Sequence, residues 1–174
     1  MFGFGTSIRL QAAALCFIIL VMIDFIRSEK LKLLTTGIYS AILGTSTLYM
    51  FADILTVYTI SNMRGTLFNE IAHRVFYILM LTVVFLVSAY VEFAGNARNK
   101  NISAPLTALW ILPYIVCVIG MSVSGIEYIC DEKGVCSRGT AVAFLYAGIA
   151  VYKSVYAAVG ACNFADSYGS VFLL

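Results

Sequence analysis

The chain has 174 residues, of which 61% are hydrophobic, 14% aromatic and 11% charged, with a net charge of +2. Soluble domains carry about a quarter charged residues, so this composition excludes an ordinary water-soluble globule. The basic residues are too few and too scattered for a nucleic-acid surface, and charge here reports topology instead.

About 20 apolar residues cross a bilayer as a helix, and five runs reach or approach that length: Ser7–Ile26, Leu33–Ile60, Ile71–Val91, Leu106–Val123 and Thr140–Gly160. They predict an all-α integral membrane bundle of about five transmembrane helices. The first run is too long for a signal-peptide core, and Phe25-Ile26-Arg27 lacks a small-residue cleavage pattern, so it is expected to stay. Arg9 and Asp24 fall near its ends, where the interface tolerates charge. The first joint holds Arg27, Lys30 and Lys32.

The second run carries Gly37-x-x-x-Ala41 with Gly44, small residues that permit close helix approach, and one ionisable residue, Asp53. Ser61-Asn62-Met63-Arg64-Gly65 is a polar turn into the third run. That run opens on Glu70, His73 and Arg74 and closes on Glu92; Arg98 and Lys100 follow in the third joint. Pro113 removes a backbone donor from the fourth run and is expected to kink it, and Gly120-x-x-x-Ser124 is a second small-residue pair. The fourth joint offsets Lys133 and Arg138 with Glu127, Asp131 and Glu132. The fifth run contains Lys153, which either snorkels to the headgroups or finds Asp24 or Glu92, and the small residues Gly148, Ala157 and Gly160. Tyr39, Tyr49, Tyr58, Trp110, Tyr114 and Tyr128 include several at run ends, as interfacial anchors do.

The positive-inside rule puts the first and third joints in the cytoplasm, hence the N-terminus outside and the C-terminus inside. Cys130 and Cys136 then face an oxidising exterior, which allows a disulfide; the alternative is two free thiols in a cytoplasm-facing or anaerobic setting. Cys16, Cys117 and Cys162 imply no partner. Asn101-Ile102-Ser103, on the cytoplasmic side, is read as a chance glycosylation triplet.

Charge at mid-bilayer costs at least about 2.5 kcal/mol, so ionisable residues inside spans face the bundle interior. Asp53 precedes Arg64 by eleven positions and Arg74 follows it by ten, which predicts similar depth in an antiparallel hairpin and an Asp53–Arg74 ion pair. Glu70, four residues before Arg74, competes for the guanidinium. Asp53, Glu70, His73 and Arg74 thus form a candidate polar cluster near the outer leaflet. Two readings stand: interhelical glue, or a site sensing a ligand or proton through His73.

Catalytic templates are absent: no Gly-x-Ser-x-Gly, His-Glu-x-x-His, Walker loop or Gly-x-Gly-x-x-Gly, and a single His without Cys-x-x-Cys makes no zinc site. Gly3-x-Gly5 is only a fragment of the dinucleotide pattern. No catalytic residue, cofactor or metal is expected, and the chain is not expected to be an enzyme. The expected partner is the lipid bilayer of the plasma membrane; a homodimer through the bundle and a small ligand are compatible with it, and nucleic acid is not.

The stretch Ala52-Asp53-Ile54-Leu55-Thr56-Val57-Tyr58-Thr59-Ile60, then Leu67-Phe68-Asn69-Glu70-Ile71-Ala72-His73-Arg74-Val75-Phe76-Tyr77 beyond the turn, resembles the second and third helices of the N-terminal membrane sensor region of bacterial diguanylate cyclases with a GGDEF output domain. Ser137-Arg138-Gly139-Thr140-Ala141-Val142-Ala143-Phe144-Leu145-Tyr146-Ala147 is similar to the fifth helix of the same regions. The resemblance, over residues 5 to 160, implies a sensory or anchoring region of a signal-transduction protein. In that family further helices and a cytoplasmic cyclase or kinase domain follow; here residues 161–174 read as a cytoplasmic tail or the start of a truncated sixth span, and the chain as a truncated product, a fragment or a stand-alone sensor. A small multi-pass transporter or channel subunit is the alternative.

Overall fold

The computed structural model describes residues 3–27, 34–63, 65–96, 104–131 and 134–169, with side chains described at 11–27, 36–63, 65–93, 111–128 and 138–154. Five helices follow in order: α1 (Gly3–Arg27), α2 (Leu34–Asn62), α3 (Leu67–Asn96), α4 (Ala104–Val123) and α5 (Thr140–Gly169). A two-stranded antiparallel hairpin, β1 (Glu127–Asp131) and β2 (Gly134–Arg138), joins α4 to α5. The fold is all-α apart from that hairpin, which stands where the sequence predicts a plain polar joint.

Each apolar run becomes one helix, and the helices extend past the runs because backbone hydrogen bonding continues where apolarity stops. α3 starts a turn before Ile71, and α5 carries on as helix through 161–169. α4 continues through Pro113 as one helix. The α2–α3 turn is closed by Gly65 at φ 78°, a left-handed conformation that glycine adopts without a Cβ clash. Thr66 caps α3: its hydroxyl accepts the Asn69 amide at 3.3 Å and donates to the Met63 carbonyl at 2.7 Å.

α3 is central. It packs against α2, α4 and α5; α4 pairs with α5, and α1 packs on α2. The core lies among α3, α4 and α5 and comprises Tyr77, Leu81, Cys117, Met121, Leu145 and Tyr152. Gly148 admits Leu81 and Cys117 there, since a Cβ would sit 2.7 Å from Leu81 Cδ1 and 3.2 Å from Cys117 Sγ. Gly120 takes the ring of Phe144 in the same way, whereas Gly37 and Gly44 have nothing within 4 Å of a Cβ position.

Outside this core apolar side chains are widely exposed. Among the described residues 23 large apolar side chains are exposed, among them Phe17, Leu20, Leu112 and Ile119. Two helices are long and apolar enough to cross a membrane, at Thr36–Asn62 and Leu67–Phe93; Ile111–Val123 and Thr140–Ser154 are shorter apolar stretches of the described chain.

Candidate functional site

The α2–α3 turn and the base of the hairpin meet at one end of the bundle. Here α3 sends two pairs of side chains, spaced four residues apart, in different directions: Asn69 and His73 inward, Glu70 and Arg74 toward the end of α4. A helix turns about 100° per residue, so neighbours in sequence face different partners.

On the inward face, Asn69 is fully buried and His73 only 5% exposed. His73 Nδ1 donates to the backbone carbonyl of Asn69 at 2.9 Å, which fixes the ring along the helix. Tyr128 of β1 meets that ring edge-on, centroids 5.1 Å apart, and Tyr77 flanks it at 6.3 Å. Thr56 and Thr59 are buried on α2 at the same end, each bonding a carbonyl three residues back on its own helix. Four of the five buried polar residues described, Thr56, Thr59, Asn69 and His73, thus gather at this end; Ser88 is the fifth.

Among the described residues neither side-chain amide atom of Asn69 has a hydrogen-bond partner, and the buried Tyr128 hydroxyl has none either. Leaving such a group unsatisfied costs about 1–3 kcal/mol. The Asn69 amide offers a donor and an acceptor side by side, and the phenol offers both on one oxygen. Burial pushes the Tyr128 phenol above its ordinary pKa, with Tyr77 and Glu70 adding to the shift and Arg74 opposing it, so it is a neutral donor at physiological pH.

Arg74 and Glu70 form the i,i+4 ion pair that their spacing predicts. Arg74 also donates to the carbonyls of Met121, at 3.3 Å, and Ser122. These lie in the last turn of α4, whose carbonyls have no partner within the helix, so a cation there satisfies both hydrogen bonding and the helix dipole. Arg74 is a clamp between α3 and the α4–hairpin junction.

The expected Asp53–Arg74 ion pair does not form. Asp53 lies nine residues from the end of α2 and Arg74 seven into α3, so their depths match, but their faces do not. Asp53 turns toward α1 and accepts a hydrogen bond from Gln11 Nε2 at 2.6 Å. The four predicted residues therefore divide: Glu70, His73 and Arg74 belong to the α3 cluster, and Asp53 joins α1 to α2. Sequence reasoning missed Asn69, Tyr128 and Gln11. Asn69 was legible as a polar residue four before His73 on a stripe that continues through Tyr77 and Leu81. Tyr128 was read as an interfacial anchor, and nothing marked Gln11.

Lys153 is exposed and pairs with neither Asp24 nor Glu92. Tyr114 bonds the Thr82 hydroxyl at 2.8 Å and stacks on Phe85; Tyr39 lies between Phe25 and Tyr90. Cys130 has Val135 as its register partner and Cys136 has Ile129, so the two cysteines are not opposite each other on the ladder; their side chains lie outside the described residues. Also outside are the orientation charges Lys30, Lys32, Arg64, Arg98, Lys100 and Lys133, the Asn101 triplet, and the side chains of Arg9, Trp110 and Cys162. Among the described residues no three His, Cys, Asp or Glu side chains group as metal ligands. No family model, curated protein or solved structure matches the chain.

Proposed function

We propose that the chain is a multi-pass helical bundle of the plasma membrane, N-terminus outside, acting as the sensory region of a bacterial signal-transduction protein of the diguanylate cyclase kind. The observation that carries the sensing role is the buried, unpartnered Asn69 amide beside His73 and Tyr128. A molecule that satisfies those groups better in one arrangement of α3 and β1 than in another biases the helices by that difference in affinity.

Lipid as the solvent is supported by the exposure of the apolar helices. Only 17% of each spanning window in α2 and α3 is buried, whereas the core helix of a soluble protein is mostly buried. Water tolerates contiguous apolar patches of only a few hundred Å². The transporter alternative has less support, because the buried polar residues gather at one end and transporter sites lie near the midplane.

The test is a fusion of the chain to a diguanylate cyclase domain, with cyclic di-GMP as the readout. Asn69→Leu and His73→Gln are expected to shift output by about 2- to 30-fold, the span of about 0.5–2 kcal/mol of coupling, with membrane insertion unchanged. Unchanged output from both inserted variants overturns the sensing role.

A further inference from the structure

A cleft of about 290 Å³ lies between α3 and α5, far from the Asn69 cluster, lined by Val83, Val84, Val87, Ser88, Tyr152 and Lys153. Its wall is apolar except at one end. Val87 is 43% exposed and Lys153 is exposed, so the cleft opens on the outer surface of the bundle and not into its interior. Lys153 carries the cleft's one charge, with no carboxylate in ion-pairing range among the described residues.

Position along the helices gives the cleft a polarity. α3 and α5 both start at the hairpin end and run parallel. Lys153 is thirteen residues into α5, about 20 Å from its start, in a hydrocarbon layer about 30 Å thick. Its flexible stem can carry the ammonium most of the remaining way to the far headgroups. Val83, Val84 and Val87 precede Ser88 on α3 and therefore lie on the hairpin side of it, toward the membrane centre. The arrangement runs from a cation with a neighbouring hydroxyl near the headgroups to an apolar slot near the midplane.

We infer that this cleft binds an anionic lipid of the leaflet remote from the hairpin, with its headgroup phosphate on Lys153 and Ser88 and part of one acyl chain along Val83, Val84 and Val87. Charge complementarity selects the headgroup, and the slot, smaller than an ordinary ligand pocket of about 300–1,000 Å³, takes a length of chain and not a whole lipid. A zwitterionic lipid with the same chains fills the slot but brings no net charge to the lysine. The inference rests on the membrane reading above.

The experiment is native mass spectrometry of the full chain released from detergent, titrated with dioleoyl phosphatidylglycerol, with dioleoyl phosphatidylcholine, or with inorganic phosphate. One phosphatidylglycerol is expected to be retained, about fivefold more tightly than phosphatidylcholine, the value of one lysine near a charged headgroup. Lys153→Gln abolishes that preference and Lys153→Arg keeps it, while Val84→Trp, which fills the slot, loses both lipids with Lys153 intact. Equal retention of the two lipids, a preference that survives Lys153→Gln, displacement by phosphate alone, or a second copy of the chain in place of lipid overturns the inference. A chain that inserts into membranes yet shows no lipid preference refutes this site alone; a chain that stays in buffer without detergent refutes the membrane reading itself.

Discussion

Replacing Arg74 by Met should release the end of α4 and the hairpin while leaving the rest of the bundle folded. Arg74 reaches two carbonyls, those of Met121 and Ser122, and hydrogen bonds from a charged donor are worth about 1.5–3 kcal/mol net. Its pairing with Glu70 adds little, because Glu70 is 41% exposed and exposed i,i+4 pairs contribute about 0.3–0.5 kcal/mol. The clamp therefore dominates, and its loss raises local opening by about 10- to 150-fold. Hydrogen exchange of the amides between residues 120 and 131 reads this directly, since local opening is what exposes them. Arg74→Lys should recover part of the protection: it keeps a charge at the helix end but loses the planar fork that spans two acceptors. Glu70→Gln should change exchange only slightly. Equal loss from Glu70→Gln and Arg74→Met, or unchanged exchange in Arg74→Met, refutes the reasoning.

Two glycines separate packing from propensity. Gly148→Ala places a methyl 2.7 Å from Leu81 Cδ1 and should lower stability by about 1–3 kcal/mol, whereas Gly44→Ala, with open space around it, should be neutral or stabilising by up to about 1 kcal/mol; thermal unfolding in detergent checks both. Asn69→Leu should raise the unfolding temperature of the ligand-free protein, because it replaces two unsatisfied buried atoms by an apolar group of similar size, and a fall contradicts the description of Asn69 as unpartnered. Asp53→Leu should loosen α1 selectively: hydrogen exchange should rise in residues 11–27 and stay constant in α4 and α5, while a uniform rise would mean that Asp53 holds more than α1.

The helices were legible because apolar length is a one-dimensional signal, read without knowing any partner. Their faces were less so. Asp53 and Arg74 match in depth, which residue spacing reports, but pairing also needs the azimuth of each side chain, and that is set by which helix packs beside which. Glu70–Arg74 was legible for the complementary reason: an i,i+4 pair shares one helix, so its geometry is local. The hairpin was not legible. Glu127–Asp131 and Gly134–Arg138 are short, mixed in polarity and separated by only two residues, and their pairing is secured at the base, where Gly139 at φ 122° lies against the Gly125 carbonyl. Asn69 escaped notice because an asparagine near a polar turn ordinarily faces water, whereas here it lies on the face of α3 that is packed inward.

Lipid surrounding the helices, with the α2–α3 turn and the hairpin together on the outer side, is the claim on which both sites depend. In a background with all five cysteines changed to alanine, single cysteines at Lys30, Asn62 and Gly125 can be labelled in intact cells with a membrane-impermeant maleimide. Cysteines at Asn62 and Gly125 should react from outside, and the one at Lys30 only after the membrane is opened. Reaction at Lys30 in intact cells, or opposite accessibility of Asn62 and Gly125, contradicts the account.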